Sequence, residues 1–187
     1  MQILSKKEFL EGNYIEQVKQ GAVFIYPTDT VYGIGCDATN KKAVARVRNI
    51  KGRLNKPFSV ITPSKVWISK NCFIDKKDKP FLKKLPGKYT LILKLRDKGA
   101  IAKNVISGET LGVRIPNHWF AKIVRKSRVP IITTSVNLSG EKFMTSLEDL
   151  NKSILKKIDF IIYEGRKNKK PSKIVDLTKS KPEIIKR

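Results

Sequence analysis

The chain has two cysteines, Cys36 and Cys72, and a single histidine, His118. Neither cysteine belongs to a CxxC pair or to metal-like spacing, which argues against a disulfide framework or a zinc site. One imidazole also excludes any site that needs two. Long apolar runs are missing: none approaches the roughly 18 to 20 residues of a membrane span. The start of the chain carries Lys6, Lys7 and Glu8 where a signal peptide needs an apolar stretch. A cytoplasmic protein with no membrane partner is therefore expected. Acidic residues are scarce as well, 16 Asp and Glu against 40 Lys and Arg in 187 residues, a net charge of +24. Hydrophobic residues nonetheless make up 40% of the chain, with 8 Phe, 5 Tyr and 2 Trp, too much core material for a disordered basic tail. The length suits one well-buried core and is short for two large ones, so residues 1–187 are expected to form one domain.

The charge admits two readings. Of the 40 basic residues 31 are Lys and 9 are Arg. Lysine is a mobile point charge that accumulates on solvated faces, whereas arginine makes planar paired bonds to phosphate and carboxylate. The surplus is thus either surface drift or the footprint of a nucleic-acid partner, a tRNA or double-stranded RNA. The distribution is uneven: about four basic residues are expected in any twenty, yet residues 21–40 hold none.

Ser5 and Glu8 form a capping box, and Phe9, Leu10, Ile15 and Val18 predict a helix ending near Gly21. Residues 22–26 read as a buried strand stopped by Pro27. Asn40 can cap a second helix with Ala43, Val44, Val47 and Ile50 on one face, ahead of a strand over 58–62. A basic helix is predicted over 75–85, strands over 89–95 and 111–115, a helix from Asn117 through Val124, and a strand over 129–134. Ser146 and Asp149 open a last helix to about Lys157, followed by strands near 160–163 and 173–177. Such alternation predicts a mixed α/β fold. Residues 165–172, GRKNKKPS, contain no apolar side chain and are the best candidate for a mobile loop.

Five stretches could carry chemistry. Residues 26–38, YPTDTVYGIGCDA, read as a loop after a buried strand, rich in hydroxyls, with the carboxylate of Asp29 and no cation. This is either an ordinary strand-to-loop turn or a ligand loop at a strand end. It is not a P-loop, since no GK[ST] follows. Lys51-Gly52-Arg53 puts two cations at a helix end; alone, it reads as a solvated charge cluster before it reads as a site. In residues 112–117 Arg114 sits inside an apolar strand, and a buried arginine is rare unless paired. Residues 133–140 run from a strand into small hydrogen-bonding residues, and residues 171–178 follow the loop.

Taken in order, PTDTVYGIG, KGR 21 residues after Thr30, GxYT, VRIPNH, TSxNxSG and PSxIVDLT resemble the YrdC family along residues 10–187. Within it they look like the threonylcarbamoyl-AMP synthases. The resemblance implies a twisted mixed parallel and antiparallel sheet flanked by helices, with a concave basic ligand site. It implies a nucleotidyltransferase that converts L-threonine, bicarbonate and ATP to threonylcarbamoyl-AMP and pyrophosphate, for threonylcarbamoyladenosine modification of tRNA. Magnesium would come bound to ATP without dedicated protein ligands, and the product would pass to tRNA threonylcarbamoyltransferase machinery. Motif by motif, the threonine-binding positions fall on Thr30, Arg114, Thr133 and Ser172. The ATP-binding positions fall on Lys51, Arg53, Thr110, Ser135, Asn137 and Arg187, with Lys51 and Arg53 the catalytic cations. Two departures from the family pattern are Lys88, in place of a proline, and Lys173, in place of a threonine. The rival readings are a YrdC-like paralogue acting on another carbamoyl or acyl adenylate, and a basic RNA-binding module without catalysis, suggested by clusters such as Lys76, Lys77, Lys79, Lys83 and Lys84.

Overall fold

Alternation of side chains across short strands decides the architecture, because successive residues of a strand face opposite sides of a sheet. The computed structural model describes residues 1–53 and 55–185. The strands are β1 (Gln2–Leu4), β2 (Phe24–Tyr26), β3 (Gly33–Gly35), β4 (Ser59–Ile61), β5 (Tyr89–Lys94), β6 (Thr110–Arg114), β7 (Ile131–Ser135), β8 (Phe160–Ile162), β9 (Lys173–Asp176) and β10 (Glu183–Ile185). They form one mixed sheet in the order β1-β8-β2-β3-β7-β4-β6-β5-β9-β10. β8 is parallel to both β1 and β2, β4 to β6, and β5 to β9, and the remaining pairs are antiparallel.

The registers sort the side chains into two faces. Ile25, Ile34, Ile132, Val60, Val113, Leu91 and Val175 lie on one, all fully buried in a continuous apolar layer. Helix α3 (Lys41–Lys51) covers it with Ala43, Val44, Val47 and Ile50. Its amino end is capped as expected, Asn40 Oδ1 accepting from the Ala43 N–H at 3.1 Å. The other face is divided. Toward β1, β8 and β2 it is aromatic, Phe24, Tyr26 and Phe160 packing under Phe9 of α1 (Lys6–Glu11), Val18 of α2 (Tyr14–Lys19) and Phe120 of α6 (Trp119–Ser127). Full burial of each such side chain is worth roughly 1.5–3 kcal/mol. Further helices are α4 (Lys65–Asn71), α5 (Lys79–Lys83) and α7 (Lys152–Leu155). Across the β7, β4, β6, β5 and β9 portion the same face carries Thr133, Ser135, Ser59, Gly112, Arg114, Thr90 and Ile174, and there it opens into a cavity.

Several elements differ from the sequence expectations for local reasons. The glycine pair expected in a loop is strand β3, paired with β2 on one side and β7 on the other. Its approach to β7 is so close that a Cβ on Gly35 would stand 2.0 Å from the Ile132 carbonyl oxygen. The helix expected to run to Gly21 is broken into α1 and α2, because Gly12 leaves the helix in an extended conformation and leaves Leu10 exposed. The Ser5–Glu8 capping box is present, with bonds of 2.7 and 3.2 Å. The helix expected over 75–85 becomes a 3-10 turn, Lys76–Asp78, followed by α5, since Pro80 has no N–H to continue it and sits instead in a first helical turn. α6 is capped by His118 rather than Asn117, with His118 Nδ1 accepting from the Phe120 N–H at 3.3 Å. The last predicted helix shrinks to a 3-10 turn, Leu147–Asp149, and α7. Among the described residues no helix is long and apolar enough to cross a membrane.

Candidate active site

The cavity on the divided face measures about 600 Å³. Its polar lining is made largely of hydroxyls, from Thr28, Tyr32, Ser59, Thr90, Thr110, Thr133, Thr134, Ser135 and Ser172, set among apolar side chains such as Phe58, Ile92 and Ile174. Among the described residues, the charged ones in that lining are Arg53 and Arg114, and no carboxylate joins them. A wall of neutral donors with two fixed guanidiniums favours a ligand that bears negative charge and hydrogen-bonding oxygens.

Arg114 enters from the end of β6, 5% exposed. Its Nη2 forms an ion pair with Asp29 Oδ1 and donates to Thr30 Oγ1 at 2.9 Å. The Thr28 hydroxyl donates to the Val31 carbonyl at 2.6 Å, so the 3.1 Å contact between the two threonine hydroxyls has Thr30 as donor. The other oxygen of Asp29 accepts from the Asn117 N–H at 3.0 Å. Arg114 Nε is buried without a hydrogen-bond partner. The buried arginine is thus paired as electrostatics demands, while part of its guanidinium keeps donor capacity beside the cavity. Thr30 itself is fully buried behind this guanidinium and does not line the cavity.

Arg53 follows Gly52, whose φ of 58° ends α3 in the left-handed conformation and turns the chain toward the cavity. Arg53 donates to the Pro57 carbonyl at 2.6 Å and lies over the Phe58 ring. Arg48 stacks on the same ring at 4.7 Å and donates to the carbonyls of Arg53 and Lys56 at 2.9 and 3.0 Å. It therefore holds the turn that presents Arg53. From the sequence alone Arg48 looks like one more basic residue in the last turn of a helix.

Lys51 takes a different place from its neighbour. Its side chain is buried, and Nζ donates to the Ser135 carbonyl, the Asn137 carbonyl and Asn137 Oδ1 at 2.6, 2.6 and 2.5 Å. These three bonds use every N–H of the ammonium. Burial, reinforced by Arg53, pulls its pKa down to about 8. Asn137 Oδ1 also accepts from the Ser135 hydroxyl at 2.8 Å, and its amide donates to the Glu141 carbonyl at 2.7 Å. Lys51 and Asn137 thus shape the turn after β7 from behind, and Ser135 is the member that faces the cavity. Thr110, Thr133 and Ser172 line it as well. Ser172 is buried and shares a 2.8 Å hydroxyl contact with Thr90. Arg187 lies outside the described residues. Lys88 and Lys173 are turned to solvent.

Sequence reasoning did not assign Asp29, Arg48, Tyr32 or Phe58. Tyr32 was visible among the hydroxyls of the lysine-free segment. In the fold it lines the cavity, donates to the Gly165 carbonyl at 2.6 Å and accepts from the Glu164 N–H at 3.1 Å. Burial pushes its phenol up to about 12. This pair of bonds anchors one end of the segment expected to be a mobile loop, and the Lys167 N–H bonds the Thr145 carbonyl at 2.9 Å. The absence of apolar residues there did not prevent anchoring, because the backbone is held through polar groups.

Residues 16–187 match the Sua5/YciO/YrdC family, described under the heading telomere recombination. A protein of Methanocaldococcus jannaschii, named provisionally as a threonylcarbamoyl-AMP synthase, is 38% identical over 178 residues, 93% of this chain and 81% of that protein. The structure of Pyrococcus abyssi Sua5 complexed with L-threonine superposes with a TM-score of 0.86 at 26% identity. That match covers 99% of this chain and 56% of the other, so the chain spans little more than half of that relative. The E. coli YciO crystal structure matches with a TM-score of 0.85 over 100% of this chain and 94% of the other; at 24% identity it speaks for the fold alone.

Proposed function

The chain belongs to the Sua5/YciO/YrdC family, and from that premise we propose that its hydroxyl-lined cavity joins L-threonine, bicarbonate and ATP into threonylcarbamoyl-AMP and pyrophosphate. The observation that carries this reading is the pairing of two guanidiniums, Arg53 and Arg114, with a lining whose other polar side chains are hydroxyls, free of carboxylates among the described residues, in a volume that suits substrates of this size. The reaction asks for alignment and charge neutralisation more than for a protein nucleophile. Condensation of the threonine amine with bicarbonate gives a carbamate with loss of water, and a carbamate oxygen attacks the α-phosphorus as the bond to pyrophosphate breaks. Arg114, fixed by Asp29 and Thr30, is assigned to the threonine carboxylate, and Thr133 and Ser172 to its remaining polar atoms. Arg53, Thr110 and Ser135 are assigned to the nucleotide. Lys51 and Asn137 act through Ser135 by holding its turn in place.

Magnesium belongs to the nucleotide in this reading. Among the described residues the lining offers hydroxyls but no carboxylate, and magnesium commonly keeps several waters and binds through substrate phosphates. The protein's own contribution is the pair of fixed cations. Cytoplasmic location and delivery of the adenylate to a tRNA-modifying transferase belong to the same proposal.

Pyrophosphate release tests it. Folded protein supplied with ATP, bicarbonate and magnesium should release pyrophosphate with threonine and fall by about a hundredfold or more in Arg53→Ala. Release with a different amino acid would favour a paralogous substrate, and no release with any amino acid would overturn the reading.

A further inference from the structure

A second cavity of about 550 Å³ lies on the far side of the Arg114 support, lined in part by Ile115, Pro116 and Trp119 and edged by Lys65, Lys122 and Arg125. From this we infer a second binding site, for a small amphipathic anion: an aromatic or branched aliphatic body bearing one carboxylate, sulfonate or phosphate. The inference goes beyond the proposed adenylate chemistry and does not rest on it.

Three observations converge. The volume is that of small-molecule pockets, roughly 300–1,000 Å³. Its floor is apolar, which gives a hydrocarbon body a surface to cover but offers nothing to a fully hydrated polyphosphate. The three edge cations are exposed, and their side chains have no hydrogen-bond or ion-pair partner among the described residues. Lys122 and Arg125 project from one side of α6, three residues apart, and Lys65 opens α4 across the cavity.

The two carboxylates that bond residues of this lining, Glu164 and Asp29, are each paired with a cation, so their charge is offset. Glu164 accepts from His118 Nε2, Trp119 Nε1 and Lys167 Nζ at 2.8, 2.8 and 2.6 Å. Asp29 is held by Arg114 and by the Asn117 N–H. The second contact also joins the two cavities: Asn117 lines the second one, and Asp29 fixes the guanidinium of the first.

Anilinonaphthalene sulfonate, an aromatic body with one sulfonate, is a probe of this class. The native chain should bind it at one saturable site with enhanced fluorescence, unchanged by ATP plus threonine. Lys65→Glu with Lys122→Glu should weaken that site by about tenfold or more, while Lys41→Glu with Lys42→Glu, an equal charge change on exposed positions of α3, should not. If the first pair fails to fold by circular dichroism, Lys122→Gln with Arg125→Gln takes its place. No enhancement, equal weakening in both pairs, or displacement by ATP plus threonine would each overturn the inference.

Discussion

Arg114 depends on Asp29 for more than its position. The two side chains are 6% and 8% exposed, so the charges are desolvated and each is tolerated because the other is there. Removing one partner of such a pair costs about 3–5 kcal/mol, and Asp29→Ala should lower the unfolding free energy by about that much in urea titrations. Arg114→Met in the same chain should restore most of the loss, because it removes the orphaned charge. Failure of the double variant to recover would mean that the loss arises from something other than the pair. At this scale the sequence was informative where a residue type contradicted its surroundings. An arginine between Val113 and Ile115 demanded a partner, and a carboxylate, Asp29, stood in the twenty residues 21–40 that hold no basic side chain. The motifs singled out Lys51 and Asn137, but not that they bond each other behind the cavity wall. That distinction requires knowing where the turn after β7 sits.

Strand β3 shows what pattern reading misses among the elements. Gly33-Ile34-Gly35 has little intrinsic β propensity, and glycine next to a turn-rich stretch reads as loop. The segment is a strand because the flanking backbones β2 and β7 claim its hydrogen bonds and because glycine alone permits their spacing. Gly35→Ala, which sets a methyl group against the Ile132 carbonyl, should therefore cost roughly 2–4 kcal/mol, measured as a lowered urea midpoint; an unchanged midpoint would show that the strands can part without penalty. Elsewhere the apolar period sufficed. α3 was readable because four apolar residues and an Asn cap agree, and β6 because Thr110, Gly112 and Arg114 alternate with Leu111 and Val113. Two of the three predicted helices that failed did so at Gly12 and Pro80, where one backbone effect outweighed a favourable run of side chains.

Across the whole molecule, the charge of +24 separates into unlike parts. Two arginines line the larger cavity, Lys51 is buried as a brace, and Lys65, Lys122 and Arg125 edge the smaller one. The composition pointed toward anions and said nothing of where they would bind. The cavity unites residues from β3, β4, β5, β6, β7 and β9, and their common face becomes apparent only once the register is known. The residue types were readable in the sequence and their convergence was not. The most direct test of the account follows carbon from bicarbonate into product. With carbon-13-labelled bicarbonate, ATP and threonine, mass spectrometry should find a threonine-bearing adenylate one mass unit heavier than that from unlabelled bicarbonate, and none when Arg114 is replaced by Met. An adenylate without the label, or the labelled product in undiminished amount from Arg114→Met, would contradict it.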